Sequence, residues 1–212
     1  MLSYIFGNQK DQDELKVNEI CTKILSNDST VKLSDLFQEL RKNYVPKYTY
    51  LILSKISNKL ISILMTAPDD LEIQIMAIKL LKTMAKKSDD SIPNSNPVDV
   101  LCLNPDFPKA MFLLAHPYNK RIIYLIRFFF IGSPNTFIQF AINSTNSLKP
   151  MIDTIIEQQD SDAGQLLVQI VTAKKELCNA MFIYIKPIFK QLPVSTVFDF
   201  MNYSKNQPVN QF

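Results

Sequence analysis

Apolar positions recur at helical spacing through most of the chain, and short polar breaks divide them into segments. Between Leu15 and Leu25, Val17, Ile20, Cys21 and Ile24 fall at i, i+3, i+4 and i+7, which places them on one face of an amphipathic helix. Leu33, Leu36, Phe37 and Leu40 repeat the spacing after the Asn27-Asp28-Ser29 break. A third helix is predicted after Pro46, with Leu53, Ile56, Leu60, Ile63 and Leu64 inward, ending near Ala67-Pro68. Asp69 followed by Glu72 resembles a capping box for a fourth helix with Leu71, Ile75, Ile78 and Leu81 inward, and Lys82, Lys86 and Lys87 suit its negative end.

From Lys87 to Pro97 two prolines and a run of Ser, Asn and Asp disfavour helix, so 87–97 is the candidate internal loop or linker. Beyond it, Phe107, Ala110, Met111 and Leu114 form a stripe that His116-Pro117 should close. Ile122, Leu125, Ile126 and Phe129 form the next, ending at Gly132, the residue type suited to a left-handed cap. Ser133-Pro134 reads as N-cap and first helical position of a helix through Phe137, Phe140 and Ala141. Leu148, Met151, Ile152, Ile155 and Ile156 precede the break Asp160-Ser161-Asp162-Ala163-Gly164, and Leu166, Leu167, Ile170 and Val171 follow it. Leu177, Met181 and Ile185 continue helix until Pro187 bends or ends it, and Val197, Phe198 and Met201 mark a last short helix before a frayed 206–212.

Short helices that each expose an apolar face need neighbours to cover it, so the pattern predicts an all-α fold, a helical-repeat solenoid formed as one domain over 1–212. Composition agrees: 212 residues with only three glycines and no tryptophan disfavour a turn-rich β-sandwich or a glycine-loop nucleotide fold. Twenty-three basic residues against twenty acidic ones, interspersed, give a net charge of +3 and point to no dedicated nucleic-acid partner. Cys21, Cys102 and Cys178 are odd in number and far apart, as expected of reduced thiols in a cytoplasmic protein. The densest apolar run, Ile122 to Ile131, carries Arg127 and falls short of the roughly 20 residues that span a bilayer.

Candidate chemistry is sparse. His116 is the single histidine, which rules out a two-histidine metal site and leaves a helix-end role, and no Walker, Rossmann or zinc spacing occurs. The expectation is therefore no enzyme activity, no cofactor, no metal and no catalytic residue. Asp160 and Asp162 form a carboxylate pair without the further oxygens of a calcium loop; Asp162 is expected to cap the next helix, with a partner-binding rim as the alternative. Lys42, Tyr44, Lys47, Tyr48 and Tyr50 interleave cations and rings as an RNA-binding surface does, although a solvated face with half-buried rings fits as well. Leu2, Tyr4, Ile5 and Phe6 are the candidate membrane-contacting residues.

The order of segments resembles the armadillo-like globular head of the general vesicular transport factor family, long tethering proteins of endoplasmic-reticulum-to-Golgi traffic. One block of resemblance runs from MLSYIFG through VNEICTKILSNDSTVKLSDLFQELRKNY to LISILMTAPDDLEIQIMAIKLLKTMA. The other runs from VLCLNPDFPKAMFLLAHPYNK to IIEQQDSDAGQLLVQ, where Ser161-Asp162-Ala163-Gly164 is similar to the family's aspartate-rich turn before Gly-Gly. The resemblance implies a non-catalytic vesicle tethering factor, peripheral on the Golgi membrane, that meets a Rab-type small GTPase and tethering-complex subunits and self-associates through its head as a homodimer. These 212 residues hold no heptad coiled coil and no acidic tail, so long-range reach and SNARE contacts are not carried over, and no short motif assigns partner-binding residues. A helical-repeat adaptor or scaffold of nuclear transport or the cytoskeleton is the alternative, and an RNA-binding repeat the more distant one.

Overall fold

The computed structural model describes residues 2–26, 32–66, 71–88 and 95–205, leaving aside the side chains of 2–10, 117–119 and 204–205. Among these residues the regular structure is entirely helical, as the periodicity predicts. The chain divides into two compact units, Met1–Phe107 and Pro108–Phe212. The division does not fall at 87–97, of which 89–94 lie outside the described residues, but inside a helix further along.

The first unit contains α1 (Leu2–Ser26), α2 (Leu33–Asn43), α3 (Thr49–Met65), α4 (Leu71–Lys86) and the single turn α5 (Val98–Leu101). Helix α1 packs on α2 and α3, α2 on α4, and α3 on α4 and α5. The predicted face of α1 is the buried one: Val17, Ile20, Cys21 and Ile24 meet the core formed by Phe37, Leu40, Ile52, Leu53, Ile56 and Leu60. On α4 the expected inward stripe is half right. Ile78 and Leu81 are buried, but Leu71 is 54% exposed, because the core side of α4 is set by Met76, Ala77, Leu80 and Met84. Asp69, the predicted cap, lies outside the described residues, and Glu72 occupies the first turn of α4. Gln74 is buried on the same helix and donates to the carbonyl oxygens of Leu64 (3.2 Å) and Thr66 (3.5 Å), which satisfies the otherwise open C-terminal turn of α3. Helix α5 was missed, since four residues between turn signals carry no readable period.

Burial pushes the Cys21 thiol up to about 11, against a weaker opposing pull from Lys55. The folded state thus holds the thiol proton more tightly than the unfolded chain does. The stability this contributes is complete below about pH 9 and is lost as pH climbs through about 11. Denaturant midpoints at about pH 8 and about pH 10.5 should therefore fall less for Cys21→Ala than for the parent chain.

The second unit takes up most of α6 (Asp106–Leu113), then α7 (Ala115–Gly132), α8 (Pro134–Asn143), a 3-10 turn Thr145–Leu148, α9 (Lys149–Gln158), α10 (Ser161–Thr172), α11 (Lys175–Ile185), a 3-10 segment Lys186–Gln191 and α12 (Val194–Lys205). His116-Pro117 does not close α6. Leu114 makes the break and Ala115 opens α7, so His116 lies in a first turn. The Ala115 carbonyl accepts from the Thr154 hydroxyl of α9 at 3.2 Å, which satisfies that fully buried hydroxyl and ties α9 to the start of α7. Helices α7 and α8 meet at a 110° bend after Gly132, which does not take the expected left-handed conformation. Ser133 is the N-cap and Pro134 the first helical residue of α8, as expected. The Ser133 hydroxyl, however, pairs with Thr136 Oγ1 at 2.8 Å rather than with the backbone. Phe107, Ala110, Met111, Leu114, Ile122, Leu125, Ile126, Phe129, Leu166, Leu167, Ile170 and Val171 are buried as the stripes predict.

Candidate functional site: a polar turn and an apolar face on the second unit

The break between α9 and α10 is built by its backbone. Gln159 adopts a left-handed conformation (φ 51°, ψ 39°) that ends α9, a role the sequence did not disclose because the residue is not glycine. Asp160 then caps α10: its Oδ1 accepts from the amides of Asp162 at 3.0 Å and Ala163 at 3.1 Å. This corrects the expectation that Asp162 is the cap. A cap must precede the first helical residue, and α10 already begins at Ser161. Asp162 sits in the first turn, where its charge suits the helix dipole, and its carbonyl oxygen accepts from Arg127 Nη2 at 3.2 Å. Asp160→Ala is expected to cost about 1 kcal/mol in chemical denaturation and Asp162→Ala only a few tenths. Equal costs would contradict the capping geometry.

A polar groove opens beside this turn, lined by Lys120, Tyr124 and Arg127 of α7 and by Gln159, Asp160 and Asp162. The Gln159 amide donates to the carbonyls of Ile156 and Gln191, each at 2.9 Å, so the turn is fastened to the 3-10 segment. His116 Nε2 lies 2.8 Å from Glu157 Oε2 with both side chains exposed, a surface contact worth little to stability. The groove thus collects the Asp160–Asp162 break and the charged face of α7, while His116 stands with Glu157 outside its lining.

The basic–aromatic run of the first unit does not form a stacking platform. Tyr44 and Tyr48 are buried and meet edge-on with centroids 6.2 Å apart, and Lys47 lies 4.9 Å over the Tyr48 ring. Only Tyr50 among these three rings is largely exposed, at 48%. The side chains of Leu2, Tyr4, Ile5 and Phe6 lie outside the described residues; their backbone is the first turns of α1.

An exposed apolar face on the last helix of the second unit was not predicted. Helix α12 turns Thr196 into the core and presents Val194, Phe198 and Met201 outward at i, i+4 and i+7, exposed by 72%, 59% and 45%. A groove of about 300 Å³ runs along this stripe, lined by Phe189, Lys190, Leu192, Val194, Val197, Phe198 and Met201. Phe189 and Met201 also line an adjoining apolar pocket of about 140 Å³, together with Cys178, Phe182, Ile185, Phe200 and Tyr203. Burial raises the Cys178 thiol above its ordinary range. The Tyr203 hydroxyl is raised as well, by burial first and by Cys178 second.

Inward packing sets the spacing of α10 and α12. Gly164 lies against the fully buried Thr196, whose Oγ1 would stand 1.9 Å from a Cβ added at Gly164. The glycine is therefore required by close approach of the two helices, not by a turn. Among the described residues no single helix is long and apolar enough to cross a membrane. No family model, no curated protein and no solved structure matches this chain.

Proposed function

We propose that the chain is a non-catalytic tethering or docking factor of endoplasmic-reticulum-to-Golgi and intra-Golgi transport, whose helices form an armadillo-like solenoid. The observation that carries this reading is the order of packing. In each unit the substantial contacts join α-helices no more than three apart in sequence, such as α7 with α9 and α10, α8 with α11, and α10 with α12. Packing between helices close in sequence supports a helical-repeat scaffold, which would offer side chains from successive helices to protein partners. The segment resemblance supplies the pathway, and with it a Rab-type GTPase and tethering-complex subunits as partners and peripheral attachment to the Golgi membrane.

The polar groove beside Asp160 is the partner surface that this reading favours, because it combines cations of α7 with the acidic turn on a rigid frame. Immobilised full-length chain is expected to retain Rab-type GTPases loaded with a non-hydrolysable GTP analogue and to release them in the GDP form. Lys120→Glu should weaken that retention without lowering the melting temperature by more than a degree or two, since it reverses an exposed rim charge. Equal retention of both nucleotide states, or none, would count against a GTPase partner.

A further inference from the structure

We propose that the outward face of α12, with the adjoining 3-10 segment and the end of α11, is a docking surface for an anionic phospholipid membrane. The apolar part is continuous. Phe189 and Met201 are shared by the pocket that includes Phe182 and by the groove that includes Val194 and Phe198. Phe182, Val194, Phe198 and Met201 are exposed and Phe189 is half-buried between them, as an interfacial helix requires if its apolar face is to enter the acyl boundary.

The charged part is placed to meet phosphate. Lys190 lines the groove itself, and Lys186 Nζ lies 5.9 Å from the centre of the Phe182 ring. Between residues 177 and 204 the charged side chains are Lys186, Lys190 and Asp199, and Asp199 is half-buried. No arginine occurs anywhere in residues 128–212. That choice separates lipid from protein as the occupant. Protein interfaces enrich arginine, which fixes a partner through two parallel bonds, and deplete lysine. Lysine is a point charge on a flexible apolar stem that can lie along buried surface while its ammonium reaches a headgroup layer. An apolar stripe and a lysine-only rim together supply the two signals that stable interfacial binding needs.

The surface deepens the tethering reading, and its use in a cell rests on that reading, but vesicle binding and Golgi targeting are measured separately and either can fail alone. The probe is the purified full chain mixed with phosphatidylcholine vesicles, with and without phosphatidylserine, and scored by flotation. Binding is expected only with phosphatidylserine and should fall with salt. Phe198→Ser is expected to weaken it about tenfold through lost apolar burial. Lys190→Gln should weaken it about fivefold on anionic vesicles, as expected for one lysine at a charged surface. All of these residues are exposed, and an unchanged circular dichroism melt confirms that each variant folds. Parent-like binding by both variants, or equal binding to neutral vesicles, overturns the proposal. So does self-association by sedimentation that Phe198→Ser abolishes while vesicles go unbound, which would assign the face to a second copy. Preferential capture of an amphipathic peptide with leucines at i, i+3, i+4 and i+7 and glutamates elsewhere also overturns it, in favour of a helix-in-groove partner.

Discussion

Replacing Phe112 by alanine is expected to destabilise the second unit by about 3–5 kcal/mol, the usual cost of deleting a buried phenyl ring. Phe112 has no exposed surface and joins α6 to α8 through two rings. It meets Phe137 edge-on at 5.8 Å and lies nearly parallel to Phe140 at 6.1 Å, with an interplanar angle of 21°. Truncation removes both ring contacts and leaves a void between helices whose backbones are held by the other core residues, so collapse recovers little. On the size scaling of thermal unfolding the loss corresponds to a melting temperature about 10 °C lower. Phe112→Leu keeps most of the volume and should cost much less. A melt of Phe112→Ala indistinguishable from the parent would mean that α6 does not pack on α8 in solution.

The second large effect is steric. Gly164→Ala places a methyl group 1.9 Å from Thr196 Oγ1 and 3.0 Å from Thr196 Cβ, so α10 and α12 must separate or Thr196 must turn. Thr196 has no exposed surface, which leaves its side chain no free direction. The expected cost is about 3 kcal/mol, at the upper end for overpacking, even though alanine is the better helix former. In solvent-exposed helix the same change stabilises by up to about 1 kcal/mol, so the sign alone is diagnostic. Adding Thr196→Ala removes the nearest atom and should restore part of the loss, a coupling that a double-mutant cycle reads directly. Thr196→Ala by itself should be mild, because the Thr196 hydroxyl makes no hydrogen bond that its removal would forfeit.

The helices were legible because their buried faces are apolar against polar outer faces, as in α1, where Val17, Ile20, Cys21 and Ile24 announce the core. Legibility failed where both faces are apolar. Helix α12 carries Val194, Phe198 and Met201 on one side and Thr196 and Phe200 on the other, and period alone does not say which is covered. Tertiary packing chose the smaller Thr196 for the inside because Gly164 admits it there. That is why the outward apolar face was unread. The Asp160–Gly164 break was legible as a helix start, yet its cap was assigned two residues too late. Both aspartates are good caps, and the left-handed Gln159 that fixes the register has no sequence signature. The run from Lys42 to Tyr50 shows the opposite limit. Its aromatic residues suggested a surface, but a tyrosine's apolar ring is as well suited to the core, and Tyr44 and Tyr48 took that option.

The functional account joins a helical frame packed between near neighbours, a polar groove around Asp160 and an exposed lysine-rimmed apolar face on α12. Its central claim is that the chain acts at Golgi membranes. The most direct test is the position of a fluorescently tagged copy in living cells, expressed at a low level beside markers for the Golgi and the nucleus. The account predicts a perinuclear signal that coincides with the Golgi marker and disperses when that compartment is dispersed by drug treatment. A diffuse or nuclear signal that ignores the Golgi marker would contradict it.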